Sequence, residues 1–299
     1  MRCISHAQDT EPATNYDKMN LAKNAYFVKP DYFAIENGIN PHMFDSNGKL
    51  KQVDQTIAQS QWDKLVKTYK ELGIKTHIFE GKENLPDMVF CANQTLPCQD
   101  IDDKTTGFLL SRMLDKRRHL EVDAIKTSLE QRGYKRFASL AEGNFEGAGD
   151  AIWVPKRRLL CGGYGHRTTR GVYDLVTQIA ETPIALFELP DPKFYHLDTC
   201  LSILDDRSVL ACREGFTSEG WDLLNALFPQ VLRVPLEEAD APGFACNAHC
   251  PDTKHVIIQE GNLKTNHLLK DTGFEVVEVD TSEFIKSGGS VFCMKMMFF

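Results

Sequence analysis

The chain has 299 residues, 42% apolar and 25% charged, with a formal net charge of −8. That is enough to bury a sizeable core in one large domain or two small ones. The acidic balance excludes nucleic acid and anionic membrane as main partners, since both demand a basic face, and is compatible with a small cationic ligand. Nine scattered cysteines, an odd number, do not make the disulfide framework of a small secreted domain. The opening MRCISHAQDTEPATNYDKMNL is polar and mixed in charge, unlike a signal segment, and no apolar run approaches transmembrane length. A reducing, cytoplasmic setting with free thiols is expected.

In chain order, residues 1–24 read as a polar extension outside the core. Residues 25–299 read as a single domain, because no Pro/Gly/Ser-rich linker divides them. One pattern then recurs five times: an amphipathic helix, a Gly or Pro break, and a short apolar strand. The units are QWDKLVKTYKELG–IKTHIFE, AIKTSLEQRG–YKRFASL, GVYDLVTQIAETP–IALFEL, GWDLLNALFP–QVLRVP and NHLLKDTG–FEVVEVD. Further strands are predicted at TGFLLSR, DAIWVP and KHVIIQE, with a hairpin in LSILDDRSVLACR turning at Asp205 and Asp206. Such repetition predicts an internally repeated α/β fold.

Polar residues interrupt some of these apolar segments. Read as a strand, LPDMVFCANQ puts Asp87, Val89, Cys91 and Asn93 on one face. The same parity in KFYHLDTCLSIL puts His196 beside Asp198, a carboxylate that would orient the imidazole for general acid/base work. NFEGAGDAIWV brackets two glycines with Glu146 and Asp150; the plain reading is an acid-capped turn, the functional one a carboxylate aimed into a pocket. CGGYGHRTTRG lacks the Gly-Lys-Ser/Thr ending of a phosphate loop. Arg167 within it, and Arg118 in LLSRMLDKRRHLE, are candidates for holding a carboxylate. CNAHCPDTKH carries zinc-ligand types, but Cys-x2-His-Cys-x4-His is not a common structural spacing, so no metal is assigned. SGGSVFCMKMMFF places Cys293 in an apolar, strand-like stretch after two glycines. Packing is the ordinary fate of such a thiol.

As an ordered set, LPDMVFCAN, FEGAGD, GHRT, FYHLDT and VDTSEFIKSGGSVFCM resemble the guanidine-modifying superfamily. Its members include arginine deiminase, dimethylarginine dimethylaminohydrolase, glycine amidinotransferase and arginine dihydrolase. The resemblance implies a pentein-type α/β propeller: five ββαβ-like units around a pseudo-fivefold axis. It also implies roles. Cys293 would be the nucleophile and His196 the general acid/base. Glu146, Asp87 and Asp198 would hold the guanidinium, and Arg167 and Arg118 the α-carboxylate. No cofactor is implied, and self-association is common in the family.

INPHM, around Asn40, resembles the INPWM of arginine dihydrolases, and Asn93 stands where deiminases and dimethylarginine hydrolases usually carry an acid. The expected activity is therefore hydrolysis of L-arginine to ornithine, two ammonia and carbon dioxide through a covalent amidino-cysteine. Hydrolysis to citrulline, of free or methylated arginine, is the alternative; succinylated and protein-bound arginine are further substrates to consider. A non-catalytic arginine binder is the alternative of another class. His42 in place of Trp departs from the dihydrolase pattern.

Overall fold

A computed structural model describes residues 2–102 and 105–299. The five helix–break–strand units form where the periodicity puts them. The first helix, Gln55–Glu71, starts at Asp54, whose carboxylate accepts from the amides of Thr56 (2.9 Å) and Ile57 (3.0 Å). Its buried face is Ala58, Trp62, Leu65, Val66 and Tyr69, spaced three and four apart. Gly73, at φ +76°, ends it in a conformation that glycine adopts without strain. The other helices are His119–Glu130, Tyr173–Ile179, Ser218–Leu227 and Leu263–Asp271.

Each helix crosses over between two parallel strands, as a parallel pair requires. The pairs are Asn24–Val28 with Lys75–Phe79, Thr106–Leu110 with Lys135–Ser139, Leu160–Tyr164 with Ile184–Glu188, Ser208–Ala211 with Gln230–Arg233, and His255–Gln259 with Glu275–Val279. Four pairs gain an antiparallel strand along the free edge of their first strand: Met296–Phe298, Thr95–Gln99, Ala151–Trp153 and Leu201–Ile203. In the fifth, a single antiparallel bridge from His249 to Ile257 takes that place. The result is five sheets of one design, an α/β fold. No helix of the described residues is long and apolar enough to cross a membrane.

Three expectations are corrected. The N-terminal residues are not outside the core. Cys3–Ile4 pair in parallel with Ile184 and Ala185, and Ile4 and Ala13 are buried. This added strand covers the outer edge of the third sheet, which is why Ile184–Glu188 is buried along most of its length while the matching strand Lys75–Phe79 is not. LPDMVFCANQ is not a strand: Pro86–Val89 is a 3-10 turn, and the strand begins only at Thr95. Proline at the first helical position favours that turn. Cys293 likewise lies in the turn 291–294, ahead of the strand Met296–Phe298.

Candidate active site

Loops between these elements border a small cavity of about 270 Å³ including its open mouth. Asn40, Asp87, Asn93, Arg118, Arg167, His196 and Cys293 all line it. Glu146 and Asp198 stand directly behind the lining, fully buried. The candidate residues thus converge from segments spread over the whole chain, with Ile39, Met43, Phe90 and Tyr195 as the apolar part of the wall.

Glycine creates the room. A Cβ on Gly149 would come within 2.3 Å of Asn93 Nδ2 and 3.4 Å of His196 Nδ1. Gly149→Ala is expected to displace the Asn93 amide, lowering stability by about 1–3 kcal/mol and turnover at least about tenfold. Thermal unfolding and steady-state kinetics check this. A Cβ on Gly289 would strike the Phe90 ring at 2.3 Å, so the glycines before Cys293 let that loop close over the cavity.

The imidazole and the thiol have separate partners. His196 Nε2 lies 2.7 Å from Glu146 Oε2, not on Asp198 as strand parity suggested, because residues 197–199 form a 3-10 turn that breaks the alternation. Glu146 also accepts from Arg167 Nη1 (3.0 Å) and the Leu114 amide (3.0 Å). It does not line the cavity, so the expected direct grip on a guanidinium becomes a hold on His196 and Arg167. The Arg167 guanidinium and the hydrogen bond to His196 outweigh the burial penalty and keep the Glu146 carboxyl well below its ordinary range. Asp150 sets the same region, accepting from the Leu197 amide (3.0 Å) and the Thr168 hydroxyl (2.6 Å).

The Cys293 thiol donates to Asp198 Oδ2 at 3.1 Å. Burial first, and then the Asp198 charge, push this thiol well above its usual pKa. Burial also raises Asp198, to about 7, against the stabilising contact from the thiol. Asn247, which sequence reasoning passed over, ties the turn together. Its Nδ2 donates to Cys293 Sγ (3.1 Å) and the Asp198 carbonyl (2.9 Å). Its Oδ1 accepts from the amides of Ser290 (3.1 Å), Phe292 (3.1 Å) and Cys293 (3.3 Å). It lies in the CNAHC segment weighed above for zinc, where the types Cys and His drew attention and Asn did not. In that segment His249 meets the Tyr69 hydroxyl (2.7 Å), and His255 meets Asp252 (2.5 Å) and Glu275 (3.0 Å).

Both candidate clamp arginines are already ion-paired. Arg118 forks onto Glu121 (3.0 and 3.1 Å), and Arg167 joins Glu146 to the Ile39 carbonyl (2.8 Å) while stacking 4.8 Å from the Tyr195 ring centroid. Each guanidinium has five donors, so capacity remains for a substrate carboxylate. Asn40 is spent on backbone: its Nδ2 donates to the Ser287 carbonyl (2.9 Å) and its Oδ1 accepts from the His42 amide (3.0 Å). It braces the cavity wall, with no side-chain group left over for a ligand beyond its second amide hydrogen. His42 does not line the cavity; it bonds the Lys193 carbonyl at 3.0 Å.

Other polar atoms around the cavity are unsatisfied. Asp198 Oδ1 and Asn93 Nδ2 are buried without hydrogen-bond partners, and the buried Asp87 carboxylate has only the Ser287 hydroxyl beside it. Such orphans cost roughly 1–3 kcal/mol each, and more for a charge, so they mark a site built for something else to fill. A carboxylate and an amide on the lining, Asp87 and Asn93, suit a planar cation with several N–H groups.

Lys295 lies two residues past the thiol and is buried, its Nζ 3.1 Å from the Phe292 ring centroid. Burial lowers its pKa from 10.5 to about 7, opposed by Asp198. Between these two values the unfolded chain holds the proton and the folded chain does not. Stability therefore rises with pH across that window, and the penalty is full below it. Lys295→Met should stabilise the fold by a few kcal/mol (order of magnitude) near pH ~6, with the gain shrinking toward pH ~10. Tm measured across pH for both proteins tests this.

Known proteins carry the same architecture. Two solved structures of the N-terminal domain of ArgZ, one bound to substrate and one covalently bound to a reaction intermediate, each give a TM-score of 0.83 at 28% identity, covering 92% of this chain and 97% of theirs. ArgZ is described as an arginine dihydrolase from the ornithine–ammonia cycle in cyanobacteria. Whole ArgZ of Synechocystis, a bifunctional arginine dihydrolase/ornithine cyclodeaminase, is 32% identical over 270 residues; the match covers 89% of this chain but 36% of ArgZ. The N(G),N(G)-dimethylarginine dimethylaminohydrolase of Mycobacterium tuberculosis is 34% identical over 264 residues, 88% of this chain and 82% of its own. These relatives define the class: hydrolases that act on carbon–nitrogen bonds in linear amidines, within the guanidine-modifying superfamily. The chain belongs to the family described as N,N dimethylarginine dimethylhydrolase, eukaryotic, whose model matches residues 29–299. A non-catalytic binder is thereby set aside.

Proposed function

We propose that this hydrolase is an arginine dihydrolase, converting L-arginine and two waters to ornithine, two ammonia and carbon dioxide. The observation that carries the reading is the buried, unpartnered Nδ2 of Asn93 in the same cavity as the buried Asp87 carboxylate. Asp87, on the lining, would grip the guanidinium and set its central carbon over Cys293, while Asp198, behind the lining, holds the thiol instead of the guanidinium. The thiol is protonated before substrate arrives, and the incoming cation favours the thiolate. Attack forms a carbon–sulfur bond. His196, oriented by Glu146, protonates the departing ammonia and then activates water against the amidino-cysteine, leaving a carbamoyl group. A second thiolate attack on that carbon expels the second ammonia, and water releases the thiocarbamate as a carbamate that breaks into ornithine and carbon dioxide. Arg167 and Arg118 would take the α-carboxylate, and Asn40 would brace the wall from behind. No metal or organic cofactor enters the scheme.

In this reading the five sheets are the five units of a pentein-type propeller around a pseudo-fivefold axis. Residues 25–299 form the catalytic domain, with the N-terminal segment packed onto it. The enzyme would work in the cytoplasm on a small molecule, as a self-associating protein. Incubation with L-arginine should give ornithine and about two ammonia per arginine, with no free citrulline, as two successive hydrolyses require. Citrulline with about one ammonia would overturn the dihydrolase reading.

A second reading is favoured by the family match itself: hydrolysis of dimethylarginine to citrulline and dimethylamine. Its signature is dimethylamine release from dimethylarginine at a higher kcat/KM than ammonia release from arginine.

A further inference from the structure

A second cavity lies behind the nucleophile turn. It encloses about 720 Å³ including its open mouth. Its walls are mainly apolar, with Leu21, Ile152, Trp153, Phe292 and Met297 prominent. A shallower depression shares Met19, Asn20, Leu21, Lys156 and Phe299 with it, so the two are continuous. Phe292 belongs to this cavity and Cys293 to the other, so the turn 291–294 is the partition between them.

The charges of this cavity run against those of the molecule. The chain carries a net −8, yet the charged side chains along both linings are Lys23, Lys156 and Lys295, with no Asp or Glu among the described residues there. His249 and Cys250, the other titratable side chains of the wall, are kept neutral by burial. Lys156 donates to the Thr253 hydroxyl (3.2 Å) at the rim. Lys295 sits deep, 2% exposed, against the Phe292 ring and in no ion pair among the described residues. A buried amine whose opposing charge, Asp198, is outside the lining, in an apolar chamber entered past two more lysines, is the reverse of the arginine-type cavity on the other side. It calls for an anion that brings its own apolar body.

We propose that this cavity binds an organic monocarboxylate with an apolar body, the carboxylate on Lys295 and the body along Ile152, Trp153 and Met297. The rim lysines draw the anion in, and the apolar wall takes up the chain that follows it. This site is independent of the reading given to the Cys293 cavity and does not require it.

The probe is octanoate, titrated into the intact protein with Trp153 fluorescence as the readout. A saturable change is expected, absent in Trp153→Phe. Octanol, with the same tail and no charge, should bind at least about tenfold more weakly, the worth of one charge-assisted contact. Lys295→Met should weaken octanoate to about the same degree while leaving octanol unchanged, and Lys156→Ala should weaken it by roughly two- to threefold. Equal binding of octanoate and octanol would overturn the proposal, leaving an apolar cavity with no anion site. So would unchanged octanoate affinity in Lys295→Met, or no saturable signal up to the solubility limit. If Lys295→Met does not fold, the octanoate–octanol comparison on the unaltered protein decides alone.

Discussion

In the arginine dihydrolase proposed above, replacing Asn93 by aspartate is expected to change the product from ornithine to citrulline. The two side chains have nearly the same shape, and the space that Gly149 leaves for Nδ2 admits Oδ2 as well. Chemically they differ. Asn93 offers its unpartnered N–H groups to the cavity and, through Oδ1, accepts. An aspartate there only accepts, and it adds a negative charge close to Asp87 and Asp198. It would anchor the leaving nitrogens through the first hydrolysis and then repel the neutral carbamoyl oxygen that replaces one of them. The amide donates to that oxygen and holds it for a second attack. Ammonia per arginine should fall from about two to about one, with citrulline appearing in step. If Asn93→Asp still yields ornithine alone, the second hydrolysis does not depend on this amide.

Cys293→Ala is expected to abolish turnover, by at least about 10⁴-fold in kcat, as loss of a covalent nucleophile does. The substitution removes the hydrogen bonds to Asp198 and Asn247 but leaves the amide contacts of the turn to Asn247 Oδ1 in place, so the loop should keep its course. Intact-mass analysis of a rapidly quenched reaction separates chemistry from folding. The unaltered protein should carry a covalent amidino adduct with arginine and the variant none. Residual ammonia release from the variant near the original rate would remove Cys293 from the mechanism.

What local pattern could carry, the sequence shows. Helix and strand positions follow from apolar spacing and from Gly and Pro breaks, and the five units stand where those breaks put them. The candidate residues around the cavity were legible as polar intrusions into apolar segments. Their contacts were not. Alternation assigned Asp87 and Asn93 to one strand face, yet they reach the same cavity from a 3-10 turn and from the residues after it. Asp198, two residues from His196, serves the thiol, while Glu146, fifty residues away, serves the imidazole. Periodicity reports only the direction of a side chain from its own backbone. Which distant segment waits there is a property of the fold. Asn247 escaped notice for a related reason: it serves the site through backbone amides of another segment, and an amide among cysteines and histidines carries no compositional signal. The N-terminal residues, polar in composition, hide three apolar anchors in Ile4, Ala13 and Met19.

The sheet that joins Met296–Phe298 to Asn24–Val28 has a consequence for how the protein comes to be active. The partners Met296 and Tyr26 belong to distant stretches of chain, so bringing them together costs loop-closure entropy that local helix–strand units do not face. Cys293 sits three residues ahead of that strand and takes its position only once the pairing is made. Weakening the seam would thus lower the share of molecules that are competent while leaving the rate of each competent molecule untouched. In an activity assay such a lesion reads as less enzyme rather than worse enzyme, and titration of working sites, not kcat, is the measure that reveals it.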